Sequence, residues 1–205
     1  MKKLMEYGFE GKNVLVRVDF NVPLDQEGNI LDDSRIQGAI PTLKSVLNGN
    51  GRLIIMSHLG RPKGEKQAKY SLSQVVNHLS KVLKTPVRFA EDCIGEQAEN
   101  IVHNLKNGEV LLLENLRFYN EETSGDEEFA KSLALNGDFY VNDAFGTAHR
   151  AHASTTTVAQ FFDPSARSFG FLMDNEITNA NKNNFTSEYA TTINLPDGCW
   201  INDYY

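Results

Sequence analysis

Residues 110–118 read VLLLENLRF. Four aliphatic residues in succession, Val110 to Leu113, put apolar side chains on both faces of a strand. A strand that is apolar on both faces belongs in a parallel sheet covered by helices above and below. Glu114 and Asn115 end the run abruptly, and Arg117 follows at once. The stretch therefore predicts a buried strand with a charged loop at its carboxyl end.

Working outward, Asn13 to Phe20 (NVLVRVDF) and Arg52 to Met56 (RLIIM) read as further strands, with shorter ones at Val87 to Phe89 and Phe139 to Val141. Helical patterns lie between them. Ile36, Ala39, Ile40, Leu43, Val46 and Leu47 recur at helical spacing, with Gly49 and Gly51 as stop signals. Pro41 inside that pattern predicts a kink or a late start. Leu72, Val75, Val76, Leu79, Val82 and Leu83 form an amphipathic stripe that Ser71 or Ser73 would cap. Ile94, Ala98, Ile101, Val102 and Leu105 mark a third helix closed by Gly108, and Phe129, Leu133 and Leu135 one that opens near Asp126. Strands and helices alternating to about residue 160 predict an α/β fold, a doubly wound parallel sheet flanked by helices.

The remainder behaves differently. From Asp174 to Tyr205 the chain has seven asparagines, few aliphatics and no sustained period. This predicts one domain over 1–173 and a divergent, poorly ordered tail over 174–205.

With 205 residues the chain can bury one sizeable core, or one core and an appendage. A formal net charge of −7 argues against nucleic acid and anionic membrane as partners, and makes any local cluster of arginines notable. Cys93 and Cys199 form no disulfide or zinc pattern, which fits a reducing compartment, and Cys93 reads as a small semi-buried residue. Met1-Lys2-Lys3-Leu4 leads into no apolar segment, and no apolar run approaches the roughly 20 residues of a membrane span. The expected location is cytoplasmic.

In an open α/β sheet, ligands bind outside the carboxyl ends of the strands. Here those ends carry Asp19 and Asn21, then His58 and Arg61, then Arg117, then Arg150, while Arg35 opens the first helix. Guanidinium forks match carboxylate and phosphate oxygens, so four of them at one edge of an acidic protein point to a small phosphorylated anion. Asp19 would accept from a ligand hydroxyl or orient an arginine, and Asn21 can both donate and accept. Taken singly, each arginine would be read as a solvated loop residue, and His58 as an ordinary loop histidine. His149 and His152 have a metal-ligand spacing, but no helix-borne carboxylate lies nearby to complete a set. The chain has no G-x-x-x-x-G-K-[ST] loop and no G-x-G-x-x-G after its first strand, and the basic turn Gly60 to Lys66 has the wrong spacing for a phosphate loop.

The segments RVDFNVP, DSRI, SHLGRP, LLLENLRF, NDAFGTAHRAHAS and GFLM occur in the order and approximate spacing of the N-terminal domain of phosphoglycerate kinases, which the chain resembles to about residue 177. The resemblance implies a Rossmann-like lobe that binds 3-phosphoglycerate or 1,3-bisphosphoglycerate. In the family a second lobe binds magnesium ADP or ATP, and the acyl phosphate passes to ADP in glycolysis. It implies substrate contacts at Asp19, Asn21, Arg35, His58, Arg61, Arg117 and Arg150. By the family pattern Arg61, Arg117 and Arg150 hold the 3-phosphate, Asp19, Asn21 and His58 fix the glycerate end, and Arg35 also meets the charge of phosphoryl transfer.

After Glu176 and Ile177 the resemblance lapses, and the glycine-rich segments and lysines of the nucleotide lobe are not found. The chain is therefore expected to lack the nucleotide site and to be inactive alone, unless a separate partner supplies that lobe. An early stop, a frame shift or a fusion would each produce such an ending. Two other readings stand beside the kinase: a non-catalytic phosphoglycerate-binding module, and a product without a selected role.

Overall fold

The computed structural model describes residues 4–147 and 151–182. Six strands, β1 (Asn13–Arg17), β2 (Arg52–Met56), β3 (Val87–Ala90), β4 (Val110–Leu113), β5 (Phe139–Asn142) and β6 (Arg167–Phe169), form one sheet in the order β3-β4-β2-β1-β5-β6. Every pairing is parallel. Parallel neighbours need crossovers, and these are the helices α1 (Ser34–Asn48), α2 (Val76–Leu83), α3 (Glu96–His103), α4 (Asn120–Ser124) and α5 (Glu127–Ala134), with α6 (Phe171–Lys182) after the last strand.

The alternation of each strand divides the core in two. Val14, Val16, Leu53, Ile55, Val110 and Leu112 face one side, where Ile36, Ile40, Leu43 and Val46 of α1 and Leu79 and Leu83 of α2 pack on them. Leu15, Ile54, Met56, Leu111 and Leu113 face the other, against Ala98 and Val102 of α3, Phe129 and Leu133 of α5, and Met173 of α6. Cys93 is fully buried in this second cluster, where burial pushes its thiol well above the usual range. The doubly wound sheet expected from the sequence is thus present, with helices on both faces.

Several local expectations are corrected. Pro41 neither delays nor ends α1, which runs from Ser34 to Asn48 with the proline inside it. The ring sits on the exposed side, so water can take the Gln37 carbonyl that a residue-41 amide would otherwise have bonded. The stripe from Leu72 to Leu83 splits into a 3-10 turn, Leu72–Val75, capped by Ser71, before α2 begins. The third helix ends at His103, well before Gly108, whose positive φ serves a later turn. Strand β6 and the five-residue α4 gave too little periodicity to be read from sequence.

The boundary drawn at 173/174 falls inside α6, which continues through Lys182. Met173 is buried and Ile177, one turn on, packs on the same core cluster, so the first half of the helix belongs to the domain. The rest of the expected tail, residues 183–205, lies outside the described residues. Among the described residues, no helix is long and apolar enough to cross a membrane.

Replacing Pro41 restores a helical amide where the ring makes no packing demand. Pro41→Ala should raise the unfolding free energy by about 1–2 kcal/mol, read as a higher urea midpoint at unchanged slope.

Candidate functional site

The chain leaves β1 toward β2 on one side and returns at β5 on the other, so a crevice opens between the carboxyl ends of β1 and β5. Two buried polar side chains hold the surrounding loops in place. Ser57, after β2, accepts from the Phe20 amide and donates to the Val18 carbonyl, both at 2.8 Å, which ties the loop after β1 to the loop after β2. Asn115, after β4, accepts from the amides of Leu59 (3.2 Å) and Arg117 (3.0 Å) and donates to the carbonyls of Leu59 (2.7 Å) and Tyr70 (2.9 Å). Four bonds from one fully buried amide leave these loops little freedom.

Around these loops lie six of the seven side chains singled out in the sequence. Asp19 is nearly buried; its Oδ2 accepts from Arg35 Nη1 and its Oδ1 from the Asn21 amide at 3.1 Å. The Arg35 side chain is 48% exposed, so its guanidinium is held on one side and open on the other. Asn21 Oδ1 accepts from the Gly60 amide at 2.8 Å. Arg117 Nη1 donates to the Gly60 carbonyl at 2.9 Å, so Gly60 links both residues. Arg61 is exposed and, with Arg117 and Lys63, lines a cavity of about 360 Å³ shared with Tyr119, Asn120 and Thr123. Over the crevice, the turn after β5 passes so close that a Cβ on Gly146 would sit 2.7 Å from Asp19 Oδ2. Arg150 and His149 lie outside the described residues.

Beneath this layer lies a residue that the sequence reading passed over. Arg17, the last residue of β1, is wholly buried. Its Nε donates to Ser154 Oγ at 2.8 Å, it also donates to the Val18 carbonyl, and its Nη2 stands 3.1 Å from His58 Nδ1. Glu122, on α4 and equally buried, faces it at 4.0 Å. Ser154 bridges the pair, donating its hydroxyl to Glu122 Oε1 (2.6 Å) and its amide to Oε2 (3.0 Å). Burial pushes the Glu122 carboxyl above its usual range, against the pull of Arg17 and these hydrogen bonds. His152, 3.8 Å from Glu122, is turned into the protein at the same carboxylate. Arg17 was legible in principle, because a charged residue among Val14, Leu15 and Val16 is a buried charge in need of partners.

The environment of His58 follows from this. Burial, then the positive charges of Arg17, Arg117 and Arg35, drive its pKa far below the ordinary histidine value. Arg17 has only donors, so Nδ1 must accept and the proton resides on Nε2. His58 is therefore a neutral hydrogen-bond donor set among arginines. Asp19, Asn21, Arg35, His58 and Arg117 are drawn into one polar network, with Arg61 in the adjoining cavity.

The family model described as phosphoglycerate kinase matches residues 4–192. The chain belongs to this family. The match runs past Ile177, at which the resemblance was expected to lapse, and enters the asparagine-rich stretch. Phosphoglycerate kinase of Aquifex aeolicus is 51% identical over 177 residues, 86% of this chain and 44% of the relative. That of Prochlorococcus marinus is 53% identical over 168 residues, 82% of this chain and 41% of the relative. The crystal structure of phosphoglycerate kinase from Pyrococcus horikoshii superimposes with a TM-score of 0.80 at 32% identity, over 92% of this chain and 47% of that one. The chain spans less than half the length of the curated phosphoglycerate kinases it matches.

Two outcomes test the electrostatics of the site. Arg17→Met would leave Glu122 buried without its cation, and should lower stability by about 3–5 kcal/mol in chemical unfolding at pH 7. The His58 imidazole should show constant NMR shifts from pH 5 to pH 8, because its folded-state pKa lies below that window; an inflection near 6.5 would contradict the neutral assignment.

Proposed function

We propose that this chain supplies the acid-substrate side of phosphoglycerate kinase and holds 3-phosphoglycerate or 1,3-bisphosphoglycerate over the crevice between β1 and β5. The observation that carries this reading is the placement of Arg35 on Asp19, and of Arg117 and Arg61 on the cavity beside Gly60 and Asn21, in a protein whose net charge is −7. Such a site has no use for a cation and is suited to a compact anion with a hydroxyl.

In this proposal Arg61 and Arg117 take the 3-phosphate, with Arg150 as a third phosphate ligand carried over from the family pattern. Asn21 and the Nε2 proton of His58 hold the glycerate hydroxyl and carboxyl, and Asp19 orients Arg35 and accepts from the hydroxyl. Arg35 is the catalytic residue. Its half-open guanidinium would meet the charge that spreads over the phosphoryl group as the bond from the acyl oxygen breaks and the bond to the β-phosphate of ADP forms. Phosphoryl transfer asks the protein chiefly for alignment and positive charge, and the strand-end arginines offer both.

Magnesium ADP or ATP would be brought by a separate nucleotide-binding lobe, in keeping with the family, and the setting proposed is cytoplasmic glycolysis. Residues 1–173 with the first half of α6 form the proposed substrate-binding domain. The 205-residue polypeptide alone is accordingly proposed to bind substrate and not to form ATP.

Calorimetric titration of the purified chain with 3-phosphoglycerate should give saturable binding that weakens with added salt. Arg35→Ala and Arg117→Ala should each weaken it by roughly ten- to a hundredfold, the loss of one or two charge-assisted hydrogen bonds. A folded chain that binds nothing, or measurable ATP synthesis from 1,3-bisphosphoglycerate and ADP, would overturn this reading.

A further inference from the structure

The first turn of α6 is held by side chains from other parts of the fold. A helix leaves its first amides without internal partners. Here the Phe171 amide donates to Thr42 Oγ1 of α1 at 2.9 Å, and the amides of Leu172 and Met173 donate to one oxygen, Asp143 Oδ1, at 2.9 and 3.3 Å. Asp143 comes twenty-nine residues before Leu172 and immediately follows β5, so it caps the helix from across the fold. The space between them is filled: a Cβ on Gly170 would lie 2.3 Å from the Asp143 carboxyl. Asp143, close against Gly170, thus accepts from two of these three amides and Thr42 from the third.

Asp143 also belongs to the floor of the crevice. Its amide donates to the Arg17 carbonyl at 2.8 Å, and three residues later the chain passes so near the Asp19–Arg35 pair that a Cβ on Gly146 would lie 2.7 Å from Asp19 Oδ2 and 3.4 Å from Arg35 Nη1. One short turn therefore touches the Asp19–Arg35 pair at one end and supplies the acceptor of α6 at the other. A displacement of that turn cannot spare both contacts.

We propose that Asp143 is a positioning residue that makes the seating of α6 depend on the state of the Asp19–Arg35 pair. The pair holds the turn over the crevice, the turn holds the carboxylate, and the carboxylate holds the first amides of the helix. The ligand identity in this proposal rests on the function proposed above; the coupling itself does not.

Amide hydrogen exchange, read residue by residue by NMR on the 205-residue chain at pH 7.5, separates the two. In the ligand-free protein, Arg35→Ala should speed exchange at Leu172 and Met173 by threefold or more, while Asp174, whose amide donates to the Gly170 carbonyl within the helix, changes less. Asp143→Ala should speed the same two amides by about tenfold, the loss of one hydrogen bond, and Arg35→Ala should then add nothing. Asp143→Asn keeps an acceptor oxygen and should restore both the slow exchange and its sensitivity to Arg35. The proposal is overturned if Arg35→Ala leaves Leu172 and Met173 unchanged while Asp143 is present, a comparison that stands even if Asp143→Ala fails to fold. It is equally overturned if the sensitivity survives Asp143→Ala. Saturating 3-phosphoglycerate should alter exchange at the same two amides. Binding by calorimetry without that change counts against the coupling, whereas absence of binding counts against the proposed substrate alone.

Discussion

Arg17 puts a full positive charge in the buried carboxyl end of an inner strand, and the rest of the site is arranged around keeping it there. An isolated guanidinium in that position would not be tolerated, because burial of an unpaired charge costs several kcal/mol even after relaxation. Glu122, Ser154, the Val18 carbonyl and His58 surround it. These partners come from α4, from the segment that returns after the β5 loop, from the end of β1 and from the end of β2, so satisfying one side chain fixes four pieces of chain against one another. The ordering of the crevice is a by-product of solving that desolvation problem.

The same arrangement explains how an acidic protein keeps a basic crevice. Glu122 answers Arg17 from below and Asp19 answers Arg35 from the side, while the strand-end loops bring Arg117 and Arg61 together with Lys63 around one cavity. His58 stays uncharged because it is buried and, after that, because its neighbours are already positive. Adding a proton there would cost more than it gains, and the site draws its positive potential from residues that do not titrate near neutrality.

Much of the fold was legible because the strands are buried on both faces and the helices on one. VLLL and RLIIM were read to the residue, since a run of aliphatics between polar loops has few alternative placements. The short elements were not: β6 has three residues, and α4 owes its position to Glu122 meeting Arg17 rather than to any periodic pattern. The 173/174 boundary cuts α6 because Phe171, Met173 and Ile177 are its few apolar core residues amid polar ones, and its first amides are held by Thr42 and Asp143, which no local reading connects to it. For the site, loop arginines at strand ends were conspicuous by charge. The polar residues that hold the loops, Ser57 and Asn115, were not, because their importance lies in which backbone groups they reach.

The central placement of β1 has a consequence for how the chain comes together during synthesis. The first strand made is flanked in the finished sheet by β2 on one side and by β5 on the other, and the Val14 to Phe139 pairing spans some 125 residues. Until β5 has emerged, the Val14–Arg17 edge has no partner, and Ser154, which follows β5 and bridges Arg17 to Glu122, has not yet been made. A nascent chain short of that point carries an apolar, half-paired strand whose terminal charge lacks the Ser154 bridge to Glu122, a state open to pairing with other chains. Contacts of such long range make this a slowly assembling domain, in which the oldest part of the polypeptide is among the last to be enclosed.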